Sequence, residues 1–98
     1  MGAAKKANIK TVDIDGLTVN IDEDVCKSWN AYRLMLQFCK DGGEVTPDAL
    51  PSIIAFVELV SDVDEAAIVE QCGGNAASFE SVMGVMARII SEAAPKNS

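Results

Sequence analysis

The sequence predicts an α+β domain that is mostly α, in which an N-terminal β-hairpin precedes a compact bundle of about four helices. Residues 9–21 alternate apolar and polar side chains around an Asp-Gly pair, which is typical of a hairpin. From residue 24 onwards, apolar residues recur at helical spacing between glycine-rich and acidic breaks. The 98 residues are 49% hydrophobic and 23% charged, which is an ordinary balance for one globular domain.

We expect one domain over residues 9–94. The small and polar segment 1–8 and the proline-containing segment 95–98 are expected to be disordered tails. The hairpin is assigned to residues 9–21, and the helices are expected at about 24–40, 49–61, 63–72 and 79–94.

In the hairpin, Asp15-Gly16 is a dipeptide that favours a type I′ turn of two residues. That turn fixes the register and gathers the apolar residues on one face, with polar residues on the other. The predicted pairs on the apolar face are Ile14 with Leu17, Val12 with Val19, and Lys10 with Ile21. An isolated hairpin is marginally stable in water, so this face should cover the helices.

Each helix has its own start signal and its own apolar stripe. The acidic cluster Asp22-Glu23-Asp24 is expected at the start of the first helix, and Asp48 is expected to cap the second. Asp62 with Glu65 resembles a capping box for the third helix, and Ser78 is expected to cap the fourth. Gly42-Gly43 and Gly73-Gly74 would end the first and third helices. The inner stripes are predicted to be Val25, Trp29, Tyr32, Leu36 and Cys39 in the first helix; Leu50, Ile53, Ile54, Val57 and Val60 in the second; and Phe79, Val82, Met83, Met86, Ile89, Ile90 and Ala93 in the fourth. Trp29 is therefore expected to be buried.

Four large apolar residues fall outside these inner stripes, namely Leu34 and Phe38 in the first helix and Phe56 and Leu59 in the second. A helix that is apolar on two sides is either sandwiched within its domain or meets a partner. The short loop predicts antiparallel packing, which would let Phe38 approach Phe56. We take these four residues as a candidate partner-binding surface, and burial within the domain is the alternative.

Charge and composition argue against several function classes. The chain has 15 acidic and 8 basic residues, a net charge of −7, and it should bind neither nucleic acid nor an anionic membrane. It contains no histidine, which is the commonest general base and metal ligand. Asp13-x-Asp15-Gly16 is an incomplete calcium loop that the hairpin turn explains. We predict no catalytic, cofactor-binding or metal-binding residues.

The three cysteines and the chain's apolar runs suggest a cytoplasmic protein. Cys26, Cys39 and Cys72 lack the paired spacing of a zinc site, and their odd number does not suit a secreted disulfide framework. Residues 1–10 have no apolar stretch of a signal peptide, and no run approaches the ~20 residues that span a bilayer. We expect reduced, buried thiols.

The order of these elements resembles the tail assembly chaperones of long-tailed siphophages and prophages. The resemblance covers about residues 9–97, and loose hydrophobic patterns rather than catalytic motifs carry it. It runs through Val12-Asp13-Ile14-Asp15-Gly16, Ser28-Trp29, Leu34-Met35, Phe38, Glu70-Gln71-Cys72-Gly73-Gly74, Val82-Met83, Ile89-Ile90 and the Ala-Ala-Pro-Lys-Asn tail.

The resemblance implies a non-enzymatic protein that binds the tape measure protein and tail tube subunits in the host cytoplasm. Such proteins leave before the virion matures, and self-association is a further expectation. Two alternatives stay open. The first is a small acidic interaction or inhibitor protein of phage or bacterial origin, for example one that mimics nucleic acid. The second is an enzyme subunit that uses carboxylates alone, which would need two of them to meet in a cleft.

Overall fold

The chain folds into a two-stranded hairpin followed by helices. The computed structural model describes residues 8–38 and 47–93. Its strands are β1 (Ile9–Ile14) and β2 (Leu17–Asp22); its helices are α1 (Glu23–Cys26), α2 (Trp29–Phe38), α3 (Leu50–Val60), α4 (Glu65–Gln71) and α5 (Phe79–Ala93). Short 3-10 turns at Pro47–Ala49 and Gly74–Ala76 precede α3 and α5. The predicted class, α+β and mostly helical, is confirmed.

The register of the hairpin is the one that its side-chain alternation predicts. Ile14 pairs with Leu17, and the remaining partners follow in antiparallel order to Ile9 and Asp22. Asp15 has a φ of 53° and Gly16 a φ of 94°, so both turn residues have the positive φ of a type I′ turn. Ile14, Val19 and Ile21 are fully buried on the predicted apolar face.

The hairpin covers the helices, and its turn and both of its strands are joined to them. An antiparallel bridge joins Ile21 to Ser61, directly after α3. The side-chain amide of Gln71 donates to the backbone oxygen of Asp15, at 2.9 Å. Lys10 Nζ lies 2.7 Å from a carboxylate oxygen of Glu92 in α5. The turn, the second strand and the first strand thus each contact a different helical segment.

The predicted first helix is broken into α1 and α2. Asp22 caps α1 as expected, since its carboxylate accepts from the backbone N–H groups of Asp24 and Val25. The helix stops at Cys26. Ser28 directly precedes α2, and its hydroxyl accepts from Ala31 N at 3.2 Å. Because two residues outside the helix separate α1 from α2, the apolar stripe extrapolated from Val25 is not the inner stripe of α2.

The segment after α3 corrects the predicted start of α4. Asp62 does not cap this helix, because its carboxylate accepts from the backbone and side-chain amides of Asn20, at 3.0 and 2.8 Å. Asp64 caps α4 instead, accepting from Ala67 N at 2.9 Å. The prediction from the Asp62–Glu65 spacing was wrong because Asp62 is used to hold the hairpin.

The predicted N-cap residue is confirmed for α5 and wrong for α3. Ser78 precedes α5 and accepts from Ser81 N, as predicted. Asp48 does not cap α3, whose N-cap position is Ala49 with no side-chain hydrogen bond. Asn8, assigned to the N-terminal tail, accepts from Glu23 N at 2.8 Å through its backbone oxygen. Cys39, Gly42-Gly43 and both remaining tails, 1–7 and 94–98, lie outside the described residues.

Helix α3 lies at the centre of the core, between α2 on one side and α5 on the other. It contributes more fully buried large side chains than any other described element. The core consists of Ile14, Val19, Ile21, Cys26, Ala31, Phe38, Ala49, Ile53, Phe56, Val57, Val60, Val63, Ile68, Val85, Met86, Ile89 and Ala93. No charged or polar residue in the described segments is buried.

Candidate partner-binding surfaces

The surface predicted from Leu34, Phe38, Phe56 and Leu59 does not form. Phe38 and Phe56 do approach each other as predicted, with ring centroids 5.4 Å apart and planes at 73°. However, Phe38 is 1% exposed and Phe56 is fully buried, so this edge-to-face pair belongs to the core. Leu34 is half-buried against the same core, and Leu59 alone is exposed. Burial within the domain, the alternative interpretation, is correct for the two phenylalanines.

The antiparallel arrangement of α2 and α3 explains how the phenylalanines meet. Gln37 near the end of α2 accepts a hydrogen bond from Ser52 near the start of α3, at 2.5 Å. Ala31, which is fully buried, and Phe38 lie on the same side of α2, seven residues or about two turns apart. The side of α2 that packs into the core is therefore the one that was predicted to lie outside the inner stripe.

The opposite side of α2 carries three large exposed apolar residues, which we call the α2 outer face. Trp29 is 72% exposed, Tyr32 53% and Leu36 54%. Their spacing of three and four residues places them on one side of the helix. The predictions that Trp29 is buried and that these residues form an inner stripe were both wrong.

Basic residues flank the α2 outer face. Arg33 follows Trp29 by four residues on the same side of the helix, and Lys27 precedes α2 by two residues; both are exposed. No acidic residue occurs between Lys27 and Phe38. This stretch is thus a cationic and aromatic element in a chain with a net charge of −7.

A second apolar surface is a groove along α5, which we call the α5 groove. Its volume is ≈ 440 Å³, and its lining is predominantly apolar. Phe79 at its border is 60% exposed, although it was predicted to lie on the inner stripe of α5. A Cβ added to Gly84 would contact nothing within 4 Å, so this position opens directly into free space. The groove is lined by Ile53, Phe79, Glu80, Met83, Gly84, Ala87, Ile90 and Ser91.

The apolar surface continues on the other side of Phe79 and Met83. A smaller groove of ≈ 210 Å³ borders these two residues and reaches Leu50 and Ile54 of α3 and Glu65 of α4. Phe79 and Met83 thus form a ridge between two concave apolar regions. Such extended exposed apolar surface is typical of protein-binding sites.

A third groove, of ≈ 370 Å³, has a lining of mixed polar and apolar character and is bordered by two carboxylates, Asp15 and Glu80. Two carboxylates at one cleft are what the carboxylate-enzyme alternative requires. Both residues are exposed, whereas the carboxylates of general acid–base pairs are tuned by burial and close neighbours.

Three groups of the described segments have shifted pKa values, namely Asp62, Lys10 and Cys26. Hydrogen bonds from the amides of Asn20 lower the pKa of Asp62 below its ordinary value. The hydrogen bond to Glu92 raises the pKa of Lys10. Burial, reinforced by the charges of nearby carboxylates, raises the pKa of the Cys26 thiol. None of these groups lines the α2 outer face or the α5 groove.

Two searches of the described residues were negative. Over 8–38 and 47–93, no three Cys, Asp or Glu side chains are grouped so that they could hold a metal ion. Within the same segments, no helix combines the length and the apolar character needed to cross a membrane.

Comparisons with protein-family models, with curated proteins and with solved structures found no match.

Proposed function

We propose that this protein is a non-enzymatic phage tail assembly chaperone that binds the tape measure protein and tail tube subunits during tail morphogenesis. The family resemblance over residues 9–97 suggests this role. The observation that carries the proposal is the α5 groove, because it is a concave, predominantly apolar surface on a strongly acidic chain.

A chaperone of this kind must hold an apolar segment and release it again. A groove of ≈ 440 Å³ has room for a few side chains of a bound helix, which favours reversible binding over permanent burial. The net charge of −7 would keep both the free chaperone and its complex from aggregating.

The second candidate function is a small acidic interaction or inhibitor protein. A nucleic-acid mimic would use an array of surface carboxylates as its contact surface. Here the α5 groove and the α2 outer face contain one carboxylate between them, that of Glu80. Protein contacts that depend on apolar burial therefore suit the surface better than phosphate mimicry.

The test is co-expression with the tape measure and tail tube proteins encoded in the same phage genome, followed by purification through a tag on this chain. We expect the native chain to bring down the tape measure protein. Gly84→Leu should lose it, because a Cβ at this position meets no atom within 4 Å and the rest of the leucine side chain would occupy the groove. Ala55→Leu, which places the same leucine side chain on an exposed part of α3 outside the groove lining, should retain it.

Two results would contradict the proposal. Failure of the native chain to bring down either tail protein would remove the chaperone function. Equal capture by the native chain and Gly84→Leu would show that the α5 groove is not the binding surface. Circular dichroism of each variant provides the folding control.

A further inference from the structure

The α5 groove does not end at its apolar lining. It borders the third groove, which we call the turn groove because the hairpin turn lies at its edge. Glu80 and Gly84 line both grooves, so the two meet along one side of α5. Asp15, Gln71 and Val85 are among the other residues that line the turn groove. A segment bound in the α5 groove therefore lies next to the turn groove.

The charged residues that line these two grooves are all acidic. Asp15 comes from the hairpin turn and Glu80 from α5, and both are exposed. None of the basic residues in the described segments lines either groove, and within those segments neither carboxylate pairs with a basic side chain. Two like charges at one groove repel each other, so a cation from outside the chain would be bound favourably.

The hairpin turn that carries Asp15 is held in place by the chain itself. The side-chain amide of Gln71 donates to the backbone oxygen of Asp15, at 2.9 Å. This bond uses the amide nitrogen of Gln71 and leaves its amide oxygen as a further acceptor at the groove. Acceptors that are already positioned bind a donor without the entropic cost of ordering a loop.

The lining of the turn groove suits a basic side chain better than a metal ion. No three Cys, Asp or Glu side chains of the segments 8–38 and 47–93 are grouped to hold a metal. Gly84 and Val85 line the groove together with the carboxylates, which gives it a mixed polar and apolar character. Lysine and arginine match this mixture, because their alkyl stems pack on apolar surface while their charged ends reach acceptors.

We propose that the α5 groove selects partner segments in which a lysine or arginine stands next to apolar residues. The apolar side chains of the segment occupy the α5 groove, and the basic side chain passes over Gly84 into the turn groove, where it meets Asp15 and Glu80. Gly84 leaves this path open, since even a Cβ there would meet nothing within 4 Å. The inference rests on the proposed function, because it names the chemistry of the segments that the chaperone holds.

Fluorescence anisotropy with synthetic peptides tests this selection. The probe is a fluorescein-labelled helical peptide of about 15 residues, with leucines at helical spacing and a single arginine one turn beyond them. Its matched control has citrulline, a neutral isostere, in place of the arginine. We expect the native chain to bind the arginine peptide roughly tenfold more tightly than the citrulline peptide, and salt should reduce the difference.

A double variant of the protein locates the basic side chain. Asp15→Asn combined with Glu80→Gln should bind the two peptides equally, because both carboxylate charges are removed. Asp15→Asn produces an Asn-Gly pair, which favours the same type I′ turn and retains the hairpin. Asp13→Asn combined with Glu23→Gln removes the same net charge at exposed residues outside both linings, and it should keep the native preference.

Three results would overturn the proposal. The first is that the native chain binds the two peptides equally or binds neither. The second is a preference for arginine that persists in the Asp15→Asn/Glu80→Gln variant, since the net charge of −7 would then explain it. The third is unchanged peptide binding by Gly84→Leu, which would place the peptide outside the α5 groove. If the double variant loses its helical circular dichroism, Glu80→Gln alone replaces it.

Co-purification with the tail proteins separates this proposal from the chaperone function. If the native chain prefers the arginine peptide but brings down neither tail protein, the selection stands and the chaperone function is wrong. If the native chain and Asp15→Asn/Glu80→Gln bring down the tape measure protein equally, the chaperone function stands and the proposed selection is wrong.

Discussion

Phe56→Ala should destabilise the domain by about 3–5 kcal/mol, whereas Trp29→Ala should cost less than about 1 kcal/mol. Phe56 is fully buried in α3, and its ring meets Phe38 edge to face at 5.4 Å. Trp29 is the larger side chain, but 72% of it already lies in water. The ranking of the two variants thus depends on which side of α2 faces the core.

The size of the Phe56 effect is large for a domain of this length. At roughly 0.05–0.15 kcal/mol per residue, a small domain of this size has about 5–15 kcal/mol of stability in total. The loss combines the transfer of a phenyl ring from the core with the cavity that remains. Part of it is the ring pair itself, worth about 0.5–1.5 kcal/mol, which a double-mutant cycle with Phe38→Ala would isolate.

Urea denaturation followed by far-UV circular dichroism is the appropriate assay, because Trp29→Ala removes the only tryptophan and with it the fluorescence signal. Phe56→Leu provides a milder substitution if Phe56→Ala does not fold. If Trp29→Ala lowers the free energy of unfolding as much as Phe56→Ala does, then Trp29 is a core residue. That result would refute both the orientation of α2 and the outer face defined on it.

Three further predictions concern the hairpin and the buried thiol. Removing the Asp62 carboxylate by Asp62→Ala should cost about 1 kcal/mol or less at neutral pH. The hydrogen bonds from Asn20 lower the pKa of Asp62 in the folded protein below its ordinary value of 3.8. The stability difference between the native chain and Asp62→Ala should therefore be present above pH 3.8 and should disappear as the pH falls through the folded-state pKa. Urea titrations of both proteins over this pH range would show it. In a variant whose other cysteines are changed to serine, Cys26 should react with a thiol reagent at least roughly tenfold more slowly in the folded protein than in urea. Burial raises the pKa of the Cys26 thiol and restricts access to it. Equal rates in the two states would show that the thiol is accessible. Gly16→Ala should destabilise the domain by about 1 kcal/mol, because φ is 94° and the new Cβ would lie 3.3 Å from the Gln71 amide. Gly84→Ala, in an open helical position, should stabilise the domain by about 0.5–1 kcal/mol. Thermal melts that reverse this order would contradict the turn geometry.

The hairpin could be predicted in detail because two independent signals agree on it. The Asp15-Gly16 turn fixes which residues pair, and the alternation fixes which face is apolar. A register shifted by one residue would move the whole apolar set into water, so the sequence allows one solution. The sequence does not show that Asn20 would bind Asp62, because that contact joins residues 42 positions apart.

The orientation of α2 could not be extrapolated from α1, because the helix does not continue through Lys27 and Ser28. A stripe that starts at Val25 is in phase with Trp29 only if every intervening residue is helical. The signal that was missed is Ser28 itself, which can cap a new helix by accepting from Ala31 N. Once α2 is allowed to begin at Trp29, its phase is set by packing against α3 rather than by α1.

Packing against α3 also selects which apolar side of α2 is buried. Ala31 is small enough to let the helix backbones approach, and Phe38 is placed to fill the space beside Phe56. The rejected side carries Trp29 and Tyr32, whose N–H and O–H groups need partners when buried, and it also carries Arg33. Burying that side would have left polar groups without partners in a core whose described part contains no buried polar residue. The same residues suit an interface that is formed and released, since their polar groups remain hydrated in the free chain and the apolar rings provide the contact area.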